Sequence, residues 1–556
     1  MAAALQHRSP SQQPGLPTAG TRNGDTAISG LRFRFAPPPS GYGGDELNAL
    51  TNQSVHSVGA DQGREGVTSY NVSGLLSAKL NQVNRIDLEG AWSRQGNSFV
   101  GGQPSGVVNP DGTSVIDQLA QSNAETSRLT RTTVSLTHKG DYAFGTANSY
   151  VQWEHTLNRR LTESNSGGGE AIFNSATAYS DTTLDNVSAK SEWSIPFNFV
   201  LAQNMTLGAD FRGEHLEAPI SLTAGTTQKD SAYLFGLYAE DNISVTDSLT
   251  LTPGLRFDHH NKFGGNLSPS LNGFLAVTST VTIKAGIARA FKAPNLYQLS
   301  PDYFYSSRGN GCPAWYSGQC YIKGNPDLKP EISINKEIGV AYADKKGIAA
   351  SVTYYHNAYK NKITTGEELS TTLSGINYFN WENSGPATIS GIEGNFTIPF
   401  GKLVSWNTNF TKVLKSERET YGQLADGTTG ALKTAVSLVP KYTINNTLRI
   451  SPTDNFGINL RSTHYGRIDP ADVNVKGVEI PKANQIPRKP YMLVNFGVDY
   501  KTGGIKLAAG IDNVLKKKIN ATYNTTGTAT AGTVAATAKT FNEPGRTFWL
   551  SLTNSF

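Results

Sequence analysis

From Val67 onward, apolar and polar residues alternate along most of the chain. Ile86, Leu88 and Trp92 fall on one side, against Arg85, Asp87 and Glu89 on the other. Leu249, Leu251, Leu255 and Phe257 oppose Ser248, Thr250, Thr252, Arg256 and Asp258. The final segment sets Phe548, Leu550, Leu552 and Phe556 against Thr547, Trp549, Ser551, Thr553 and Ser555. A period of two is that of a strand, whose successive side chains point to opposite faces. About twenty strands are predicted. The first half holds 29–36, 67–80, 82–95, 128–139, 147–158, 184–195, 201–216, 232–245, 248–260, 265–277 and 281–291. The second holds 332–344, 347–361, 377–398, 403–418, 437–451, 455–468, 490–501, 504–516 and 546–556.

The links between these segments alternate between short and long. Short ones fall at Thr246-Asp247, Asp344-Lys345-Lys346, Gly401-Lys402, Pro452-Thr453-Asp454 and Thr502-Gly503; long ones fall at 96–127, 159–183, 217–231, 292–331, 469–489 and 517–545. Strict alternation places every short turn at one end of an antiparallel meander and every long loop at the other, the asymmetry of outer-membrane barrels with periplasmic turns and extracellular loops. A soluble sandwich or propeller mixes its connection lengths. Strands of this length suit a tilted bilayer crossing, and closure leaves no unpaired backbone edge in lipid. The expected fold is therefore all-β, a large antiparallel transmembrane barrel. Trp92, Trp153, Tyr342 and Trp549 lie near strand ends, where interfacial aromatics gather. Trp549 shares the polar face and is not expected in lipid.

Composition narrows the class further. The 556 residues are only 37% hydrophobic, with 56 Gly and 23 Tyr, which suits a chain that either has much surface to wet or lines a wet interior. The net charge of +5 is spread along the chain, so no basic stripe points to nucleic acid. No apolar run is long enough for a membrane-spanning helix. Residues 1–28 are polar and rich in Pro, Ser and Gln, without a secretory pattern, and read as a disordered or unrelated lead-in to a barrel over 29–556. The two cysteines, Cys312 and Cys320, lie in one polar loop. They fit a local disulfide formed in an oxidising compartment, or else two unpaired thiols. Without a neighbouring His or further Cys they cannot complete a tetrahedral metal site.

Several stretches resemble TonB-dependent outer-membrane siderophore receptors. They are Gly63-Arg64-Glu65-Gly66-Val67, Ser93-Arg94-Gln95-Gly96-Asn97, Pro253 to His260 (PGLRFDHH) and Gly286 to Gln298 (GIARAFKAPNLYQ), followed by Gly324 to Gly339 (GNPDLKPEISINKEIG), Tyr359 to Ile363 (YKNKI), Gly391-Ile392-Glu393-Gly394 and Asn542 to Thr547 (NEPGRT). Their joint order, with the two-cysteine loop, is similar to the ferric-catecholate branch, of the enterobactin type. The closing Phe556 resembles the insertion signal of bacterial barrel proteins. The resemblance implies a barrel of about 22 strands, an N-terminal plug filling its lumen and a box that binds TonB, with outer-membrane lipid around the wall. The matching stretches begin at Gly63, too early for a plug, which needs on the order of a hundred residues. The expectation is a receptor barrel lacking its plug, its first hairpin and its TonB box, able to bind ligand but not to carry out energised uptake.

A ferric catecholate is a bulky aromatic anion, and its capture calls for cations and flat aromatic faces where loops converge. The 292–331 loop supplies Tyr297, Tyr303, Tyr305, Trp315, Tyr316 and Tyr321 with Arg308 and Lys323. By resemblance, Arg308 takes the place of a ligand-contacting lysine and Tyr321 that of a tyrosine. Pro313 and Ser306 depart from the pattern, which bears on which siderophore is bound. The alternative is that these aromatics pack on one another to order a long loop. Arg159 and Arg160 are weaker candidates, while Lys284, Arg289 and Lys292 serve equally well as lumen residues. His259 and His260 read as exposed residues at the start of a loop. Haem receptors carry an iron-binding His between the matching boxes, and none occurs from Asn295 to Lys323. No phosphate loop, zinc spacing or nucleophile–base set suggests an enzyme or a cofactor. By resemblance, such a receptor also doubles as a colicin or phage receptor; a passive pore and a non-functional fragment are the alternatives.

Overall fold

The computed structural model describes residues 32–34, 67–98, 125–161, 179–219, 228–307, 312–313, 316, 320–373, 375–473, 478–485, 487–517, 521–523, 537–539 and 545–554. Its main element is a 21-stranded sheet whose strands pair antiparallel, mostly with their neighbours in sequence. The longest strands, Tyr179–Asn198 and Val404–Gln423, have 20 residues each. A tilted strand needs only about ten residues to cross the hydrocarbon, so these extend well past it. The predicted 29–36 strand is described as Arg32–Arg34, paired with Ser73–Leu75. Phe556 lies outside the described residues.

The two faces of the sheet differ as the alternation requires. On one face, apolar side chains continue from strand to strand in register. Leu88 faces Leu136, which faces Val151; Leu237 faces Phe257, which faces Leu267; Phe496 faces Ile511, which faces Phe548. Leu550 and Leu552 on this face are 72% and 70% exposed. Rows of bare Leu, Val and Phe across so many strands are stable against lipid, not water. Trp92 and Trp153 lie on the same face.

The other face is polar and cross-braced. Arg256 donates to Asp210 at 2.6 Å and to Asp258 at 2.8 Å, and Asp258 is fully buried. Arg449 holds Asp499 at 2.9 Å with Asn459 beside it. Asp87 accepts from Ser77 and Arg85 and pairs with Lys139. Trp549 belongs to this face, as expected. Its ring lies where a Cβ on Gly510 would sit, 2.4 Å away, so the indole needs a glycine across the ladder.

Polar side chains cap the short turns at one end of the sheet. Thr246, Thr278 and Asp344 each accept two backbone N–H groups within their own turn. The alternation of link lengths is not strict, however. Asn261–Phe263, at the loop end, joins Leu249–His260 to Gly264–Ala276 in three residues. His260 is not an exposed loop-start residue there, because it is buried and stacks on Phe263 with centroids 4.2 Å apart.

Two further differences concern the strands below the longest loop. Arg289 is not a lumen residue. It shares the face of Ile287, and its guanidinium donates to the Leu267 carbonyl and to Asn266, just past Ser270, where pairing between Gly264–Ala276 and Val281–Lys292 stops. Lys284 keeps the polar face, opposite Phe274. The predicted 377–398 strand is two strands, Ile376–Ser384 and Ala387–Phe400. Gly385 and Pro386 interrupt it, since proline cannot donate to a ladder. Ile376–Ser384 leaves the main sheet and pairs with Lys362–Leu373.

Removing the cation between Asp210 and Asp258 leaves carboxylates without their counter-charge. Arg256→Met is expected to destabilise the barrel by about 3 kcal/mol, read as a lower denaturant midpoint for loss of strand signal in micelles.

Candidate ligand-capture site

The longest loop leaves the strand Val281–Lys292 and begins with a single helical turn, Leu296–Leu299. Asn295 caps it: its side chain accepts from the Gln298 N–H at 2.8 Å, while the Gln298 side chain accepts from the Asn295 N–H at 3.1 Å. Leu296 is driven into a cluster with Leu216, Ala218 and Ala232 at the loop end of neighbouring strands, with Leu184, Tyr297 and Tyr303 packed around it. Tyr297 and Tyr303 touch each other at 4.8 Å between centroids. Burial pushes the Tyr297 phenol pKa up, with the Arg160 cation opposing.

The stretch from Gly324 to Glu331 anchors the loop's return. Gly324 N–H donates to the Tyr303 carbonyl and Asn325 N–H to the Gln298 carbonyl. A Cβ on Gly324 would lie 1.8 Å from the Ser300 carbonyl oxygen, so only glycine fits this approach. Asn325 Nδ2 donates to the Trp381 carbonyl, and Asn383 bridges the backbone of Lys329 and Asn361. Glu331, buried at the rim, accepts the Ile363 N–H at 3.0 Å and pairs with Lys362 at 2.9 Å and Lys292 at 3.7 Å. Lys292 is thus occupied at the base of the loop.

Between these anchors stands a second, four-stranded sheet. Phe304–Ser307 pairs with Cys320–Lys323, which runs parallel to Ile376–Ser384, itself paired with Lys362–Leu373. Cys312 and Cys320 form a disulfide. One face of this sheet is a small core: Cys320, Ile322 and Phe379 are 0%, 2% and 0% exposed, with Cys312 and Tyr316 against them. Alternation sends the other residues to the opposite face. Tyr321 stacks on Tyr378 at 5.1 Å, Phe304 meets the Tyr378 ring edge-on at 5.2 Å, and Lys323 and Asn380 continue the same rows. Asn380 Oδ1 has no hydrogen-bond partner among the described residues. The result is a half-buried patch of three aromatic rings, an ammonium group and a spare acceptor.

The residues expected to form the site therefore separate. Tyr321 and Lys323 lie on the aromatic–cationic face, Tyr316 packs on its reverse side against Phe379, Tyr297 belongs to the docked helical turn and Tyr303 packs beside it. Arg308, Trp315 and the side chain of Tyr305 lie outside the described residues. Arg159 pairs with Asp181 and covers Tyr179. Tyr378, Phe379 and Asn380 were absent from the expected set because 377–398 read as one barrel strand; the Gly385-Pro386 break was the available signal.

The family model described as "TonB dependent receptor-like, beta-barrel" matches residues 70–514. The chain belongs to the TonB-dependent receptor family. Barrels of TonB-dependent receptors sit in the outer membrane, so the loop end is extracellular. A ferric enterobactin receptor of Pseudomonas aeruginosa is 38% identical over 518 residues, covering 89% of this chain and 66% of its own length. The ferrienterobactin receptor of Escherichia coli is 35% identical, covering 89% of this chain and 67% of its own. Among solved structures, a ferric enterobactin receptor from Pseudomonas aeruginosa superposes with a TM-score of 0.77 at 34% identity, covering 92% of this chain and 73% of that one. The siderophore receptor PirA from Acinetobacter baumannii gives 0.75 at 31% identity, over 89% and 72%. The TonB-dependent receptor described here spans about two thirds of the length of these curated relatives. Members of this family are receptors and transporters rather than enzymes.

Because Gly324 ties the loop to the docked turn, Gly324→Val is expected to raise loop cleavage by added protease severalfold while leaving barrel strand content unchanged. Thiol-reagent labelling is expected only after reduction.

Proposed function

We propose that this chain is the barrel of an outer-membrane receptor that captures ferric catecholate siderophores of the enterobactin type for iron acquisition. The observation carrying this reading is the outer sheet's aromatic–cationic face, where Tyr321, Tyr378 and Phe304 stand beside Lys323. Flat catechol rings stack on such faces, and their negative charge favours an adjacent ammonium. The names of the relatives support the same ligand class. Tyr297, Tyr303, Tyr305, Arg308, Trp315 and Tyr316 are proposed to contribute further contacts from the same loop. The polypeptide of residues 1–556 is proposed to supply capture, with energised uptake depending on TonB acting on a plug rather than on these barrel residues.

Quenching of intrinsic fluorescence by ferric enterobactin tests the reading. Binding is expected for the ferric catecholate and not for haem or a ferric hydroxamate, and Tyr321→Ala is expected to weaken it about tenfold, the loss of one stacked contact. Equal affinity for all three ligands, or none for the catecholate, refutes it. In a receptor-null strain, the polypeptide of residues 1–556 alone is expected not to restore siderophore-dependent growth.

A further inference from the structure

The lipid-facing wall carries an acid that the rest of the fold does not use. On the turn-end half of the strands from Gly145–Leu161 to Gly264–Ala276, Asp241 is, among the described residues, the one charged side chain that alternation sends outward. Its neighbours across that face are Met205 and then Ile195, and Ala239 and Ile243 flank it along its own strand. Asp241 Oδ1 is buried and has no hydrogen-bond partner among the described residues. A carboxylate so placed against hydrocarbon is unfavourable without a counter-charge.

Beside this acid the wall is hollowed. Ala209 and Ala239 form the floor of a recess of about 510 Å³, walled by Trp193, Leu207, Leu255 and Phe257. Sites for small ligands span roughly 300–1,000 Å³. The polar atoms at its edge satisfy one another: Trp193 Nε1 donates to Ser191 at 3.1 Å, and the Ser149 and Ser191 hydroxyls lie 2.8 Å apart. What remains is apolar. Trp193 also stacks with Tyr142 and Phe144, at 5.8 and 6.1 Å between centroids. Aromatic belts of this kind mark the level where hydrocarbon gives way to head groups. Trp193 and Ala239 share one row through Leu207, and Asp241 lies one row further toward the short turns. The recess is therefore at acyl-chain depth and the acid at headgroup depth, in the leaflet on the short-turn side.

We propose that Asp241 and this recess bind an inner-leaflet phospholipid whose head group carries a primary ammonium. The ammonium donates to the Asp241 carboxylate, and one acyl chain lies over Ala209 and Ala239. Charge decides the class of head group. An isolated acid repels an anionic one, whereas a primary ammonium supplies both the counter-charge and the donor that Oδ1 lacks. A quaternary ammonium brings the charge without an N–H. The apolar recess selects a lipid over a free amine, because a soluble amine gains nothing from it.

The test uses the full chain in detergent micelles, with bound lipid counted by native mass spectrometry. Phosphatidylethanolamine is expected to bind about tenfold more tightly than phosphatidylglycerol or phosphatidylcholine with the same chains, the effect of one charge-assisted hydrogen bond. D241N is expected to abolish that preference and D241E to keep it. A209F/A239F, which fills the recess and leaves the acid in place, is expected to lower retention of phosphatidylethanolamine severalfold. Circular dichroism checks that each variant keeps its strand content. A general loss of stability lowers all three lipids alike, whereas loss of this site changes their ratio. Equal retention of the three lipids by wild type, or an unchanged preference in D241N, overturns the proposal. So does full retention by A209F/A239F, or displacement of the lipid by millimolar ethanolamine.

Discussion

The hydrocarbon offers the backbone no hydrogen-bond partner, so each N–H and C=O within it must be paired by another strand. That requirement fixes the antiparallel ladder running from Val67–Lys79 through successive strands to Thr547–Asn554. With the backbone committed, side-chain alternation alone distributes chemistry. One face becomes rows of Leu, Ile, Val and Phe against lipid, and the other becomes a braced polar wall in which Arg256 and Arg449 reach acids two strands away and Asp87 accepts from the adjacent strand. A buried charge is tolerable there because its counter-charge stands close by, as Arg256 does two residues from Asp258 on the same strand.

Beyond the bilayer, strands no longer need to stay in the wall. The chain uses that freedom at Gly385-Pro386 and at Lys292. Ile376–Ser384 turns away to pair in parallel with Cys320–Lys323, and the disulfide, Ile322 and Phe379 give the resulting sheet a core of its own. Its other face is released for aromatic and cationic side chains. Glu331 and Asn383 fasten this small sheet to the rim by direct bonds to backbone N–H and C=O groups, which sets its position relative to the barrel mouth.

The barrel was legible in the sequence because a period of two survives in almost every strand, as in Leu249 to Asp258 or Phe548 to Leu552. Even the inward setting of Trp549 followed from parity. The candidate site was legible only in part. Tyr321 and Lys323 were singled out through the chemistry of their loop, but Tyr378, which stacks on Tyr321, was hidden because its strand carries the same alternation as a membrane strand. Local pattern does not say which sheet a strand joins. Arg289 misled for a similar reason: its charge suggested the lumen, whereas the end of pairing past Ser270 exposes a backbone carbonyl for it to bind. The GNPDLKPE stretch entered only as part of the family resemblance, and its residues act as fasteners.

The stacked pair Tyr321 and Tyr378 comes from two segments more than fifty residues apart in the chain, held side by side by one parallel ladder. Such a surface is not modular. Grafting the two-cysteine loop onto another barrel transfers half of a stack and one edge of a sheet, without the strand that completes either. Moving this face intact to another barrel, whether by recombination in nature or by design, therefore requires residues 293–330 and 362–384 to be exchanged together as a matched unit.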